Sequence, residues 1–293
     1  MDDTKKESVP TPIQEPTTST ETTNGIDELW QIAHAHAHDE IWGVQLADPK
    51  THVPSQIVFQ KFINAYDGDL TQAKDKLKRT LDWRQENKPL DLLKKPHSAS
   101  KFDGLGYVTS YGSALPGESD GREVFTWNIY GGVKDIRATF GDLKEFISWR
   151  VAVMEQALAE LDLNSAKEPI TPEHDPWKIY QAHDYKGISF FRQSAEVKTA
   201  STETIKVLAD NYPELLKEKF FVNVPAIMGF VYTFMKLFVA AKTIKKFHPM
   251  ANSMNMVHEF GSSKVSDLGK QLPPDYGGEG KGLKEVGKQV NLA

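Results

Sequence analysis

Three side chains in the middle of the chain have the type and spacing to do chemistry: Arg150, His183 and Tyr185. In GDLKEFISWRVAVMEQALAEL, Arg150 follows Ile147 by three positions and precedes Met154 by four. It therefore lies inside an apolar helical stripe that also runs through Leu143, Ala157, Leu158 and Leu161. A guanidinium on such a face cannot shed its proton and needs an anion. An internal Asp or Glu would satisfy it, as would a head that snorkels out to water, or a ligand carboxylate or phosphate inside a cavity. His183 and Tyr185 alternate on a strand-like run, so both leave the same face. A lone His or Tyr there is ordinarily a hydrogen-bonded core residue. Together, an imidazole and a phenol that can ionise also suit ferric haem, for which Tyr is a known type of axial ligand.

The elements that must position these residues fall into two groups. Residues 27–95 read as a helical lobe. IDELWQIAHAHAHDEIW is a helix anchored by Trp30 and Ile41, residues 54–66 form a second, and a third begins at Asp69. Asp69 with Gln72 is a capping-box-like start, after which Leu70, Ala73, Leu77 and Leu81 recur at helical spacing. From Phe102 onward, Gly-rich turns separate strand-like runs (106–110 and 124–130) from helical ones (143–161 and 197–211). Two more strand candidates follow, at 177–191 and 220–224, and residues 165–176 are a polar, Pro-rich surface loop. Strands alternating with helices imply crossover connections and a mixed or parallel sheet. His34 and His38 share a helical face at i, i+4 with only Asp39 or Glu40 nearby, a pattern that a solvated helix explains without a metal. The glycines at 104, 106, 277 and 278 lack the GxGxxG pattern of a dinucleotide site. There is no nucleophile elbow, Walker motif or catalytic carboxylate pair, so turnover is not expected.

Composition narrows the class. A net charge of −5 and the lack of basic runs interleaved with aromatics argue against nucleic-acid binding. The absence of cysteine excludes disulfides, thiolate metal sites and cysteine nucleophiles. The opening residues 1–26 are acidic, polar and rich in Pro and Thr, which predicts a disordered tail rather than a secretory signal. Residues 281–293, rich in Gly and Lys, read as a second, loose tail.

The most distinctive stretch is 211–247, NYPELLKEKFFVNVPAIMGFVYTFMKLFVAAKTIKKF. It reads as a helix end, a short buried strand, Pro225 at a helix start and a long apolar helix closed by Lys242, Lys245 and Lys246. Interrupted by Pro225, Gly229 and Lys236, it falls short of the about 20 mostly apolar residues that a membrane span needs. It reads instead as a cover over something apolar. With HDYKG at 183–187 and LPPDYGG at 272–278, this segment resembles the gate region of the CRAL-TRIO lipid-binding proteins, the fold of the fungal phosphatidylinositol transfer proteins of the Sec-fourteen type. The resemblance covers most of residues 27–280 in the family's order. It implies an α/β CRAL-TRIO fold: a helical N-terminal lobe (27–95), then a ligand-binding domain (96–280) with a mixed or parallel sheet flanked by helices around a cavity.

Within that group the chain is most similar to the homologue-five subgroup, which carries haem b as well as phosphatidylinositol-transfer activity. The matching residues are Tyr130 of WNIYG, Arg150 of SWR, His183 and Tyr185 of HDYKG, and Lys219 of LLKEKFF. The resemblance implies that Tyr185 ligates ferric iron, with His183 beside it or sharing the metal, and that Arg150 and Lys219 meet the propionates or other polar groups. Tyr66 of FINAYDG would close the pocket. It further implies a phosphatidylinositol headgroup site at Glu214 and Lys246, where a lysine attracts the phosphodiester and a carboxylate accepts from ring hydroxyls. A plain surface ion pair is the alternative for those two residues. The expected protein is non-enzymatic and cytoplasmic, acting in phosphoinositide homeostasis or in oxidant and haem stress. It would touch endoplasmic-reticulum or microsomal membranes transiently through helix 225–246, without spanning them. A colourless phosphatidylinositol transfer protein and a haem-dependent peroxidase or catalase stand as the other readings.

Overall fold

The computed structural model describes residues 18–112, 121–188, 194–224 and 241–293, with backbone alone for 18–23. Most of the stretch expected to form the gate, 225–240, lies outside the described residues. The first helix, α1 (Thr18–Ala35), starts within the segment expected to be a disordered tail. It also stops six residues before Ile41. His36 turns the chain there: its Nδ1 accepts from the backbone N of His38 (3.0 Å), while Nε2 pairs with Asp82 (3.0 Å). A two-strand ribbon follows, β1 (Glu40–Ile41) and β2 (Val44–Gln45), closed by Trp42 and Gly43, both at positive φ (57° and 83°) as a tight hairpin turn requires. His34 and His38 therefore do not share a helical face, and no group of three metal-ligating side chains occurs among the described residues.

Helices α2 (Val53–Ala65) and α3 (Leu70–Asn87) complete the lobe. Pro54 opens α2, where the missing N–H costs nothing. Asp69 caps α3 by accepting from the Gln72 backbone N (3.0 Å), and Gln72 Nε2 returns a bond to Asp69 (2.7 Å). The short helices α4 (Pro89–Lys94) and α5 (Ala99–Phe102) lead to the sheet.

Five strands form it in the order β3 (Gly106–Gly112), β4 (Arg122–Ile129), β5 (Ile179–Asp184), β6 (Leu216–Val222), β7 (Phe247–Met250). The β3–β4 pair is antiparallel and the others are parallel, the mixed arrangement expected from alternating strands and helices. Helices α6 (Ile136–Phe140), α7 (Leu143–Leu161) and α8 (Ala195–Asn211) accompany it, and no described helix is long and apolar enough to cross a membrane. One apolar core joins the lobe, through Leu29, Phe59, Phe62 and Leu81, to Trp149 and Val153 of α7. The buried Arg84 reinforces that junction, its guanidinium held by Glu155 of α7 (2.7 Å) and Glu40 (2.8 Å). A second core, with Trp127, Tyr180 and Phe220, is covered by residues after β7, among them Phe260, Leu272 and Tyr276.

The C-terminal residues expected to be loose are instead pinned. Val108 and Lys288 exchange backbone hydrogen bonds (2.8 Å each), and His97 does the same with Asn291 and Ala293 (2.8 and 2.9 Å). This strap covers the outer edge of β3, which would otherwise present unpaired backbone groups. Main-chain pairing leaves no side-chain signature, so a polar sequence conceals it.

The two short motifs meet across the second core. Asp184, in HDYKG, is buried and accepts from the hydroxyl of Tyr276, in LPPDYGG (3.1 Å), and from Asn223 Nδ2 (2.8 Å). Gly277 follows at φ 86°, and a Cβ there would stand 2.1 Å from the Met254 carbonyl oxygen. Tyr276→Phe keeps the ring but strips a donor from a buried carboxylate, so urea denaturation should report a loss of roughly 1.5–3 kcal/mol.

Candidate functional site

Strand alternation sends Asn128 of β4, Gln181 and His183 of β5, and Lys219 and Phe221 of β6 to one face of the sheet; the register pairs Asn128 with His183, Gln181 with Lys219 and His183 with Phe221. Against this face lies a cavity of about 1010 Å³, at the upper end of the usual size of ligand pockets. Helix α8 supplies much of its wall, Tyr66 and Ala65 at the end of α2 another part, and Lys242, Lys246 and Phe247 a third.

At one end Tyr130, His183 and Tyr185 converge. The Tyr130 ring centroid is 5.5 Å from that of His183 and 5.4 Å from that of Tyr185, and Phe221 backs both partners (5.6 and 6.4 Å). Glycine makes this approach possible: a Cβ on Gly131 would stand 2.2 Å from the Lys186 carbonyl oxygen. Tyr185 lies one residue beyond β5, yet its N–H still bonds Val222 (3.1 Å), so it keeps the strand alternation and lines the cavity with His183. The His183 Nε2 is buried and has no hydrogen-bond partner among the described residues. Burial, with Lys219 and Arg150 near by, pushes this imidazole well below its usual pKa, so it stands neutral with a lone pair available. Burial likewise raises the Tyr185 phenol, reinforced by Tyr130 and opposed by Arg150.

Arg150 lies behind this wall. It is buried, its Nη1 donates to Asn128 Oδ1, and its Nε is unsatisfied. No carboxylate pairs with it among the described residues, which removes the internal-acid alternative there. Lys219 does line the cavity, with its Nζ 5.4 Å from the Phe221 centroid and 5.6 Å from that of Phe247. It too has no acid partner among the described residues. Burial and the Arg150 charge lower its pKa to about 7.

The other end is salt-bridged. Glu214 faces Lys242 (3.3 Å) and Lys246 (3.7 Å), and all three line the cavity. Lys242 also bonds Asp67 (3.0 Å) and the Asn64 carbonyl (2.6 Å), while Lys246 bonds the Leu216 carbonyl (2.9 Å) and is lowered in pKa by burial. Glu214 sits at φ 55°, unusual for a side chain other than glycine, and its carbonyl accepts from the fully buried Lys61 (3.0 Å), itself paired with Asp175 (2.7 Å). Tyr66 belongs to the same cavity but makes no ring contact with His183 or Tyr185 among the described residues.

The geometry thus brings seven of the eight expected site residues to one cavity and sets Arg150 just behind it. Asn128, Gln181 and Lys61 were not expected. Asn128 stands two residues before Tyr130 in the strand-like run 124–130, so alternation alone could have flagged it. Lys61 carried no signal, because its partner Asp175 lies in the polar loop far along the chain.

Comparison with known proteins gives a consistent result. The model of the CRAL/TRIO domain matches residues 118–278. The phosphatidylinositol transfer protein SFH5 of Chaetomium globosum is 65% identical over 90% of this chain, and this chain spans 60% of that relative's length. The proteins of that name in Pyricularia oryzae and Neurospora crassa are 58% and 56% identical, over 92% and 89% of this chain and 67% and 73% of their own. The crystal structure of Sfh5 superimposes with a TM-score of 0.73 over 94% of both chains at 24% identity, which bears on the fold.

The acid-free cations carry a stability cost that pH reveals. The Lys219 pKa is depressed in the folded protein, about 7 against 10.5 unfolded, so between those values the unfolded chain binds more protons. This contribution is complete above pH 10.5 and is lost as pH falls toward 7. Lys219→Met should raise the urea midpoint at pH 7 and flatten its rise between pH 7 and 10. A midpoint lowered at pH 7 would show that the ammonium has a stabilising partner.

Proposed function

The chain belongs to the CRAL/TRIO family and, from that premise, we propose that it is a non-enzymatic carrier that holds haem b in its cavity and binds or transfers phosphatidylinositol. One observation carries the haem reading: Arg150 and Lys219, cations with no acid partner among the described residues, stand beside the Tyr185 phenol and a buried imidazole nitrogen that has no hydrogen-bond partner among those residues. Each part suits the group. His183 Nε2 and the Tyr185 oxygen are the donor types that haem iron accepts, and Lys219 and Arg150 supply the charge for propionates. The apolar remainder, including Phe221 and Phe247, suits a macrocycle.

Haem bound there would bring a redox-active iron, and a phenolate ligand favours its ferric state. To ligate, Tyr185 must release a proton that burial makes it hold, and the Arg150 charge eases that release. His183 needs no such step, being neutral already. Burial lowers the Lys219 pKa in the empty cavity, and an anion facing it would favour the ammonium.

A specific observation favours the lipid as well. Glu214 and Lys246 line the same cavity as the aromatic cluster, and the relatives above are named phosphatidylinositol transfer proteins. A headgroup phosphate would draw Lys246 away from Glu214, whose Oε2 would then be open to inositol hydroxyls while Oε1 stays paired with Lys242. We place this activity in the cytoplasm, with peripheral, salt-sensitive contact to endoplasmic-reticulum membranes.

Tyr185→Phe deletes the oxygen donor and keeps the ring packing, so the purified variant should fold and its haem absorption should shift or vanish. His183→Ala should perturb the spectrum less. Unchanged haem content and spectrum in Tyr185→Phe would falsify the ligand assignment. For the lipid, Lys246→Ala should cut phosphatidylinositol transfer between vesicles by about tenfold, the loss of one charge-assisted hydrogen bond. Transfer at the parent rate would remove the headgroup site.

A further inference from the structure

Asn128 is the penultimate residue of β4, fully buried, and makes two hydrogen bonds of fixed sense. Its Nδ2 donates to the Ala182 carbonyl on β5 (3.2 Å). A carbonyl can only accept, so the amide has one orientation and its Oδ1 must face Arg150, whose Nη1 donates to it. The arrangement fixes the guanidinium without cancelling its charge. Lys61 and Arg84, which like Arg150 expose almost no surface, are each held by carboxylates, whereas Lys219, which opens onto the cavity, shares with Arg150 the lack of an acid among the described residues. The carboxylate of β5 that could have served, Asp184, points to the opposite sheet face and is occupied by Tyr276 and Asn223.

We propose that Asn128 is a specificity-determining residue: by anchoring Arg150 through a neutral acceptor, it leaves a full positive charge beside the cavity and makes the cavity select amphiphiles that carry an anion. An aspartate of the same shape would neutralise the guanidinium from within, and an anionic ligand would then find half the attraction gone. Asn128 acts through Arg150 and does not touch the ligand itself. This inference rests on the reading that an anionic amphiphile occupies the cavity, and the test separates the two.

The probes are ferric haem and its dimethyl ester, which differ only in the propionate charge, titrated by absorption into the parent protein, Asn128→Asp, Asn128→Met, Arg150→Met and the Arg150→Met/Asn128→Asp double variant. The parent should bind ferric haem more tightly than the ester. Asn128→Asp should weaken ferric haem about tenfold or more, the loss of one hydrogen-bonded charge, while leaving the ester unchanged. Asn128→Met, which keeps the guanidinium unmatched, should retain the preference for the charged form. In the Arg150→Met background, Asn128→Asp should add nothing beyond the loss already caused by Arg150→Met. Equal losses of both probes in Asn128→Asp and Asn128→Met would make Asn128 merely structural and overturn the inference, as would an intact preference in Asn128→Asp. If the parent protein binds neither probe, the haem reading fails by itself, and a fluorescent fatty acid with its methyl ester replaces them in the same comparison. Its outcome then decides the role of Asn128 by the same criteria.

Discussion

A guanidinium inside a protein keeps its proton at any pH the fold survives, so its charge must be answered by something. Arg150 is buried against a tryptophan, 5.7 Å from the Trp149 ring, and meets a neutral amide where a carboxylate would be expected. Removing one partner of a buried pair typically costs about 3–5 kcal/mol, and among the described residues Arg150 has only the neutral Asn128 amide to offset such a cost. The chain carries this deficit because the rest of the architecture is arranged around it. The sheet face turns Asn128, His183 and Lys219 the same way, and the glycine at 131 lets the Tyr130 turn close onto Tyr185.

The surrounding structure supplies the compensation. Arg84 ties α3 to α7 through Glu155, and the Tyr212 hydroxyl donates to the same carboxylate (2.7 Å), so α7 is anchored at that residue by two partners. On the far face of the sheet, buried Glu123 accepts from Lys217 (2.6 Å) and Ser263 (2.8 Å), fastening the covering segment. These interactions are closed, with donors and acceptors matched. Two of the buried polar atoms left unsatisfied among the described residues, His183 Nε2 and Arg150 Nε, lie at or just behind the cavity wall. A site held by rigid strands and backed by satisfied networks can keep unsatisfied groups aimed at a ligand without collapsing onto them.

Much of this was legible in the residues. Arg150 was visible as a charge within an apolar stripe, and the shared face of His183 and Tyr185 follows from strand period alone. The helix boundaries at Asp69 and Leu143–Leu161 were written in caps and spacing. What stayed hidden depended on partners distant in sequence or on main chain. β6 begins at Leu216, because LKEK places Lys219 on the cavity face, and a charged run does not read as a strand. β7 contains Pro249, tolerable because the strand pairs on one side only, with β6. The strap at 288–293 and the hairpin at Trp42–Gly43 are backbone devices, and neither has an apolar period to announce it.

The two ends of the cavity differ in what they ask of a ligand. At the Glu214 end the charges already balance locally, so an incoming phosphate gains only the difference between itself and the carboxylate it displaces. At the Arg150 end the cations have no acid partner among the described residues, so an anion brought there would displace none of them and would pair in a poorly solvated place. The first arrangement would favour exchange of an anionic group, the second its retention. A single cavity built on one sheet face can therefore combine a retaining pole and a releasing pole, and the difference comes down to whether the resident cation already has a carboxylate.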